Sequence, residues 1–144
     1  MSKEKLIIDY SDEEFLLYGI ISDVREFKLA WQINKILGVS LSMQDDALIE
    51  FKNNKHLKVV YYTAEKEFYS LRLIKNLAIE NNGFKSPYLM PEIKNFDYLL
   101  IIEGEDVSGF DENVFLESIK TASFVQYTSS IDIYKLKSLD NLMF

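Results

Sequence analysis

The chain has 144 residues, the size of one ordinary domain, and 48% of them are hydrophobic, including ten Phe, nine Tyr and one Trp. It has no cysteine, which excludes disulfides, thiolate catalysis, iron–sulfur clusters and thiolate zinc sites. The formal charge is −7, and only Arg25 and Arg72 among the sixteen basic residues are arginine, so the global field repels nucleic-acid backbones and anionic membranes, and neither is an expected partner.

Met1 to Tyr10 is charged and lacks the apolar stretch of a secretory signal. No segment approaches the roughly 18 consecutive apolar residues of a membrane span. Both features predict a cytoplasmic chain. Residues 1–12 read as a peripheral tail.

Phe15 to Ile21 is a continuous apolar run of strand length and predicts a central strand covered on both faces. Asp23 and Glu26 have the spacing of a capping box. Phe27, Ala30, Ile33 and Leu37 then share one helical face, opposite Arg25, Lys28, Gln32 and Lys35, and Gly38 stands where a left-handed C-terminal residue is wanted. Asn34 lies on the apolar face of this helix and reads as a satisfied core amide. Helical spacing puts Trp31 in the core or at its edge rather than on a ligand.

Leu48 to Phe51 predicts a strand, and Lys52-Asn53-Asn54-Lys55 a hairpin turn. Leu57 to Thr63 is one run rich in β-branched and aromatic residues. Leu71, Leu73, Lys75, Leu77 and Ile79 follow at period two; a helix over Leu71 to Ile79 competes, because Ile74 breaks the alternation, but an antiparallel meander is favoured. Phe96 to Glu103 predicts a second doubly buried strand. Asp111 can cap a second helix, with Phe110 and Phe115 as a hydrophobic staple. Phe124 to Ile131 returns as a strand, and 132–144 forms a second peripheral tail, docked through Leu142 and Phe144.

This order predicts a single α+β domain over 1–144. Two helices would layer on one face of a mainly antiparallel sheet, a two-layer sandwich, with a ferredoxin-like core and an inserted hairpin as the first topology.

The chemistry on offer is limited. His56 is the only histidine and follows the predicted turn; beside Lys55 and Lys58 it makes a poor metal ligand and reads as an exposed turn residue. Nucleotide, nucleophile-elbow and zincin motifs do not occur, and no catalytic residue, metal or cofactor is assigned. The acidic clusters Asp12-Glu13-Glu14, Asp45-Asp46 and Glu103-Glu105-Asp106 read as solvated turns, because cation sites need converging oxygens.

The segment that stands out is Met90 to Tyr98. Pro91 holds Met90 extended and removes an amide donor, while Glu92, Asp97 and Tyr98 place two carboxylates and a phenol at the mouth of a buried strand. Two readings stay open for Pro91, Glu92, Asp97 and Tyr98: a small polar site that grips a partner or ligand, or a tight connection capped by the carboxylates and tethered by the phenol. The stretch resembles the signature of the IPExxxVDY family of small bacterial proteins, with Met90 in place of the isoleucine and Phe96 in place of the valine. The likeness extends to Ala30, Asn34, Leu37 and Gly38 in the first helix and to the ending Asn141 to Phe144. The resemblance implies a family without an assigned biochemical function and carries over no catalytic residue.

The expectation is therefore a non-enzymatic interaction or regulatory module with an unidentified protein partner, homodimerisation being open. A small-molecule sensor and, third, a carboxylate-based enzyme are the alternatives.

Overall fold

The computed structural model describes residues 14–144. The expected tail at 1–12 and the acidic pair Asp12-Glu13 lie outside them. The described residues form an α+β fold with nine strands in two sheets and two helices.

Strand β1 spans Glu14–Ile21 and leads into helix α1, Glu26–Leu37. Strands β2 (Ser42–Met43), β3 (Ala47–Glu50), β4 (His56–Val59), β5 (Tyr61–Glu65), β6 (Tyr69–Lys75) and β7 (Glu80–Asn82) follow. Strand β8 (Tyr98–Gly104), helix α2 (Glu112–Lys120) and strand β9 (Tyr127–Ser130) complete the order. The larger sheet has six strands in the order β2-β5-β6-β8-β1-β9, antiparallel throughout. The smaller has three, β3-β4-β7, also antiparallel.

Because β1 and β6 both run antiparallel to β8 between them, they are parallel to one another, and the chain from β1 through α1 to β6 makes a split crossover. The chain from β8 through α2 to β9 makes a second one around β1. The two crossovers interleave in the sheet, and both helices pack on the same face. On that face Leu29, Ala30 and Ile33 of α1 and Phe115 and Ile119 of α2 meet Tyr18, Ile20, Leu71, Leu73, Leu100 and Ile102.

The opposite face is covered as well. Leu17, Ile74, Leu99 and Ile101 face a second core built from Leu57 and Val59 of β4, Leu89, Met90 and Phe96, and Ile133 and Leu142 of the C-terminal segment. Two apolar faces explain why β8 is buried from Tyr98 through Ile102 without alternation. The C-terminal segment docks through Leu142 as expected. Phe144 sits at the edge, its ring 5.1 Å from that of Tyr61 and 5.0 Å from the Arg72 guanidinium.

Several local expectations need correction, among them the extended run Leu71 to Ile79, which stops at the end of β6 at Lys75 and resumes in the other sheet only at Glu80. The run Leu57 to Thr63 is two strands in different sheets: Val59 enters the second core and the next residue, Val60, enters the first. Two successive residues buried on opposite sides are ordinary in a strand, but here the partners change as well, and Val60 uses its carbonyl on the Lys75 amide at 3.0 Å. The capping box does not form: α1 starts at Glu26 with Arg25 as its N-cap residue and no side-chain cap, and Glu26 turns inward to Lys75 at 3.4 Å. The buried stripe of α1 is accordingly Glu26, Leu29, Ala30 and Ile33, leaving Phe27 and Trp31 outside it, 55% and 53% exposed.

Other local chemistry follows the sequence. Gly38 ends α1 at φ 64°, a left-handed conformation, and Asn34 accepts from the Leu41 amide at 2.7 Å while donating to the Leu41 carbonyl at 3.3 Å. Asp111 accepts from the Val114 amide at 3.1 Å and the Phe110 and Phe115 rings lie 5.5 Å apart, so the α2 cap and staple are present, the cap being worth about 1 kcal/mol. No helix among the described residues is long and apolar enough to cross a membrane.

Candidate functional site

The 90–98 segment is built around a residue that the sequence did not single out. Asn76, just past β6, is fully buried, and every polar group it carries is used. Its side-chain nitrogen donates to the carbonyls of Ile93 at 3.2 Å and Phe96 at 3.0 Å, and its Oδ1 accepts from the Met90 amide at 2.9 Å. Its backbone amide donates to the Asp97 carbonyl at 3.0 Å, and its carbonyl accepts from the Leu89 amide at 2.8 Å. A single asparagine thus satisfies five backbone groups of the strap, among them the amides of the fully buried Leu89 and Met90.

Within the strap Pro91 opens a 3-10 turn over Pro91–Ile93, where its missing amide costs nothing. Glu92 Oε2 accepts from the Ser138 amide at 2.6 Å. Burial alone would raise the Glu92 carboxyl, but its own backbone amide and those of Ser138 and Lys137 hold it below the usual range. Asp97 Oδ2 accepts from the Ser22 amide at 2.9 Å, and the Asp97 amide donates to the Ile20 carbonyl at 2.9 Å. The Tyr98 hydroxyl donates to the Val24 carbonyl at 2.6 Å, and burial, with the Glu26 and Asp97 charges, pushes that phenol up. Three of the four sequence-selected residues therefore hold two different segments, Glu92 the C-terminal one, Asp97 and Tyr98 the connection between β1 and α1, while Pro91 shapes the turn itself.

Met90 and Phe96 are both buried in the second core. Phe96 lies on Gly19 so closely that a β-carbon there would come within 2.5 Å of the ring, and it stacks with Tyr127 at 6.3 Å and 18°. Only glycine fits under that ring.

The other candidates separate. His56 is not an exposed turn residue: it opens β4, half-buried, 3.4 Å from Glu80 Oε2, which Lys58 also approaches at 3.7 Å. Glu103 pairs with Arg72 at 2.9 Å, and Asp106 accepts from the Ser108 amide in its own turn. No group of three or more His, Asp or Glu that could hold a metal ion occurs among the described residues.

The connection held by Asp97 and Tyr98 supports a different surface. Ser22 Oγ donates to the Phe124 carbonyl, and Gln32 Oε1 accepts from the Phe124 amide at 3.3 Å. Phe124 is thereby fixed at both its backbone groups against the start of α1. Beside it stand Phe27 and Trp31, one helical turn apart, and with Lys28 the three rings line an open apolar depression of about 390 Å³. Lys35 lies over the Trp31 ring at 4.0 Å. The sequence offered a signal for this surface: α1 has more apolar positions than one stripe can bury, and Phe27 and Trp31 alternate with Lys28 and Lys35 at helical spacing. Elsewhere among the described residues lie a groove of about 400 Å³ between α2 and β9, lined by Leu116, Lys120 and Val125 to Ser130, and a depression of about 330 Å³ beside Phe15 to Tyr18.

No protein-family model matches the chain, and no curated protein matches it.

Proposed function

We propose that the chain is a non-enzymatic interaction module of ferredoxin-like topology, belonging to the IPExxxVDY family, whose contact surface is the outer face of α1 with Phe124. The strand order β6-β8-β1-β9 with two interleaved crossovers supports the topology. The helices on one face support the two-layer core, with the small sheet and the C-terminal segment as additions on the other. The observation that carries the function is the pair Phe27 and Trp31, each more than half exposed beside a backbone-clamped Phe124. Large exposed aromatics on a rigid element are the anchors from which interfaces are made. The Pro91–Tyr98 motif serves this surface from beneath, by holding the connection from which α1 starts. That role favours the structural reading of the motif over a direct grip on a partner.

The test is a comparative pull-down from native lysate with wild type, Phe27→Ser/Trp31→Ser and Glu92→Ala. The two face substitutions lie outside the core and should leave the circular dichroism and melting temperature nearly unchanged. A partner kept by wild type and Glu92→Ala but lost by the face variant supports the reading; one kept by the face variant overturns it. A second reading, a small-molecule sensor, draws on the groove between α2 and β9. A metabolite at 100 times its dissociation constant should add about 2.7 kcal/mol, read as a thermal shift.

A further inference from the structure

The charges around this face are distributed unlike those of the molecule. The chain has 23 acidic residues against 16 basic ones. Yet the only carboxylate in α1 is Glu26, which is buried and lies 3.4 Å from Lys75 and 3.6 Å from Arg25. The remaining ionised groups of the helix are Lys28 and Lys35, both exposed, with Arg25 exposed at its N-cap. Phe27, Trp31 and Phe124 sit among them. Lys28 is the charged residue in the lining of this apolar depression, Arg25 and Lys35 flank it along the helix, and the exposed Asp23 precedes Arg25 by two residues; on a molecule of net charge −7, this local excess of positive charge is complementary to an acidic chain with apolar side chains to insert.

Resting on the contact-surface reading above, we infer that the outer face of α1 binds an acidic amphipathic peptide segment of a partner protein, with its apolar side chains against Phe27, Trp31 and Phe124 and its carboxylates on Arg25, Lys28 and Lys35. A helical segment fits best, because Phe27 and Trp31 are one turn apart and present the row of i, i+4 contacts that a second helix meets. An anionic bilayer could offer the same negative charge. Three basic residues make a weak electrostatic anchor, however, and the net negative charge of the molecule opposes approach to such a surface.

Trp31 is the only tryptophan, so its emission reports on this site alone. The probes are three synthetic peptides with the same Leu and Phe anchors at helical spacing and Glu, Ser or Lys at every other position. The Glu peptide should shift the Trp31 emission and bind at least about tenfold more tightly than the Lys peptide. Its affinity should fall as salt is raised to about 1 M, where screening shortens the reach of charge to roughly 3 Å. Lys28→Glu/Lys35→Glu should reverse the preference, and Phe27→Ala, which keeps the reporter, should weaken all three. If the Ser and Lys peptides bind as well as the Glu peptide, the acidic partner is wrong and the contact surface stands. If none of them binds, the acidic-peptide assignment is overturned and the pull-down decides the contact surface on its own. If phosphatidylglycerol vesicles shift the emission and the Glu peptide does not, the occupant is a lipid surface and the inference fails. A gel-filtration profile in which the unliganded chain is already a dimer that Trp31→Ser dissociates would assign the face to a second copy, and would also overturn it.

Discussion

At the scale of single residues the strap at 89–97 depends on one side chain. Asn76 gives two hydrogen bonds and accepts one from its side chain, all to backbone groups of the strap, and none of its surface reaches solvent. A buried backbone group left without its partner costs about 1–3 kcal/mol, more than the net gain from making the bond. Asn76→Leu, close in volume, orphans the Met90 amide and weakens two carbonyls together. It should lower the unfolding free energy by about 3 kcal/mol in urea denaturation. Asn76→Asp should be at least as damaging, since it keeps an acceptor for Met90 but buries a charge facing two carbonyls. A loss below about 0.5 kcal/mol in either variant would mean that water replaces the amide and that the strap is not organised by this residue.

Among the elements, what could be read from the sequence was what local pattern alone decides. The continuous apolar runs in β1 and β8, the left-handed Gly38, and the Asp111 cap with its Phe110–Phe115 staple depend on neighbours within a few positions, and each is present. What the sequence misassigned depends on partners far along the chain. Glu26 has the spacing of a capping residue, but Lys75 at the end of β6 draws it inward, and the helix rotates its stripe to match. Phe27 and Trp31 are then left outside. Leu57 to Thr63 looks like one strand because nothing in its composition marks Val60 as the point where the chain leaves one sheet for another. Asn76 gave no signal, since it falls among the polar positions of the period-two run Leu71 to Ile79, and nothing local marks it as buried. The ion pair that turns α1 has a pH signature. Burial raises the Glu26 carboxyl, but its backbone amide, Lys75 and Arg25 outweigh this, and its folded pKa lies below the ordinary value. The unfolded value is about 4.3, so its contribution is complete above that pH and drains away as pH falls through the lower folded value. Glu26→Gln should therefore be less stable than wild type at pH 7. The gap should narrow as pH falls below about 4.3 and close once pH passes below the folded value, as followed by urea midpoints through the acid range. A gap that stays constant with pH would assign the loss to packing instead.

For the molecule as a whole, the two-sided burial of the large sheet decides whether 132–144 is an appendage or part of the core. Among the contacts that tie the segment down are Leu142 and Ile133 in the second core, the Ser138 amide on Glu92, the Asn141 side chain on the Leu89 carbonyl at 2.8 Å, and Arg72 on the Phe144 carbonyl at 3.4 Å. The three hydrogen bonds reach the 89–97 strap or β6, which the sequence-based picture of a peripheral tail does not anticipate. If the second core is one cooperative unit with the first, a cavity made at its edge must lower the stability of everything. Leu142 is fully buried, and Leu→Ala at such a site costs about 2–5 kcal/mol, scaled by how far the neighbours collapse. Leu142→Ala should then shift the single unfolding transition as a whole, with circular dichroism and Trp31 fluorescence moving together although Trp31 lies on the far helix layer. If the segment instead peels away by itself, the two probes would keep the wild-type midpoint, and limited proteolysis of the native variant would cut within 132–144. The strap would then lose the amide held by Glu92 but keep Asn76, and the face of α1 would be untouched. The two outcomes therefore also decide whether the second core supports the contact surface or merely shares a sheet with it.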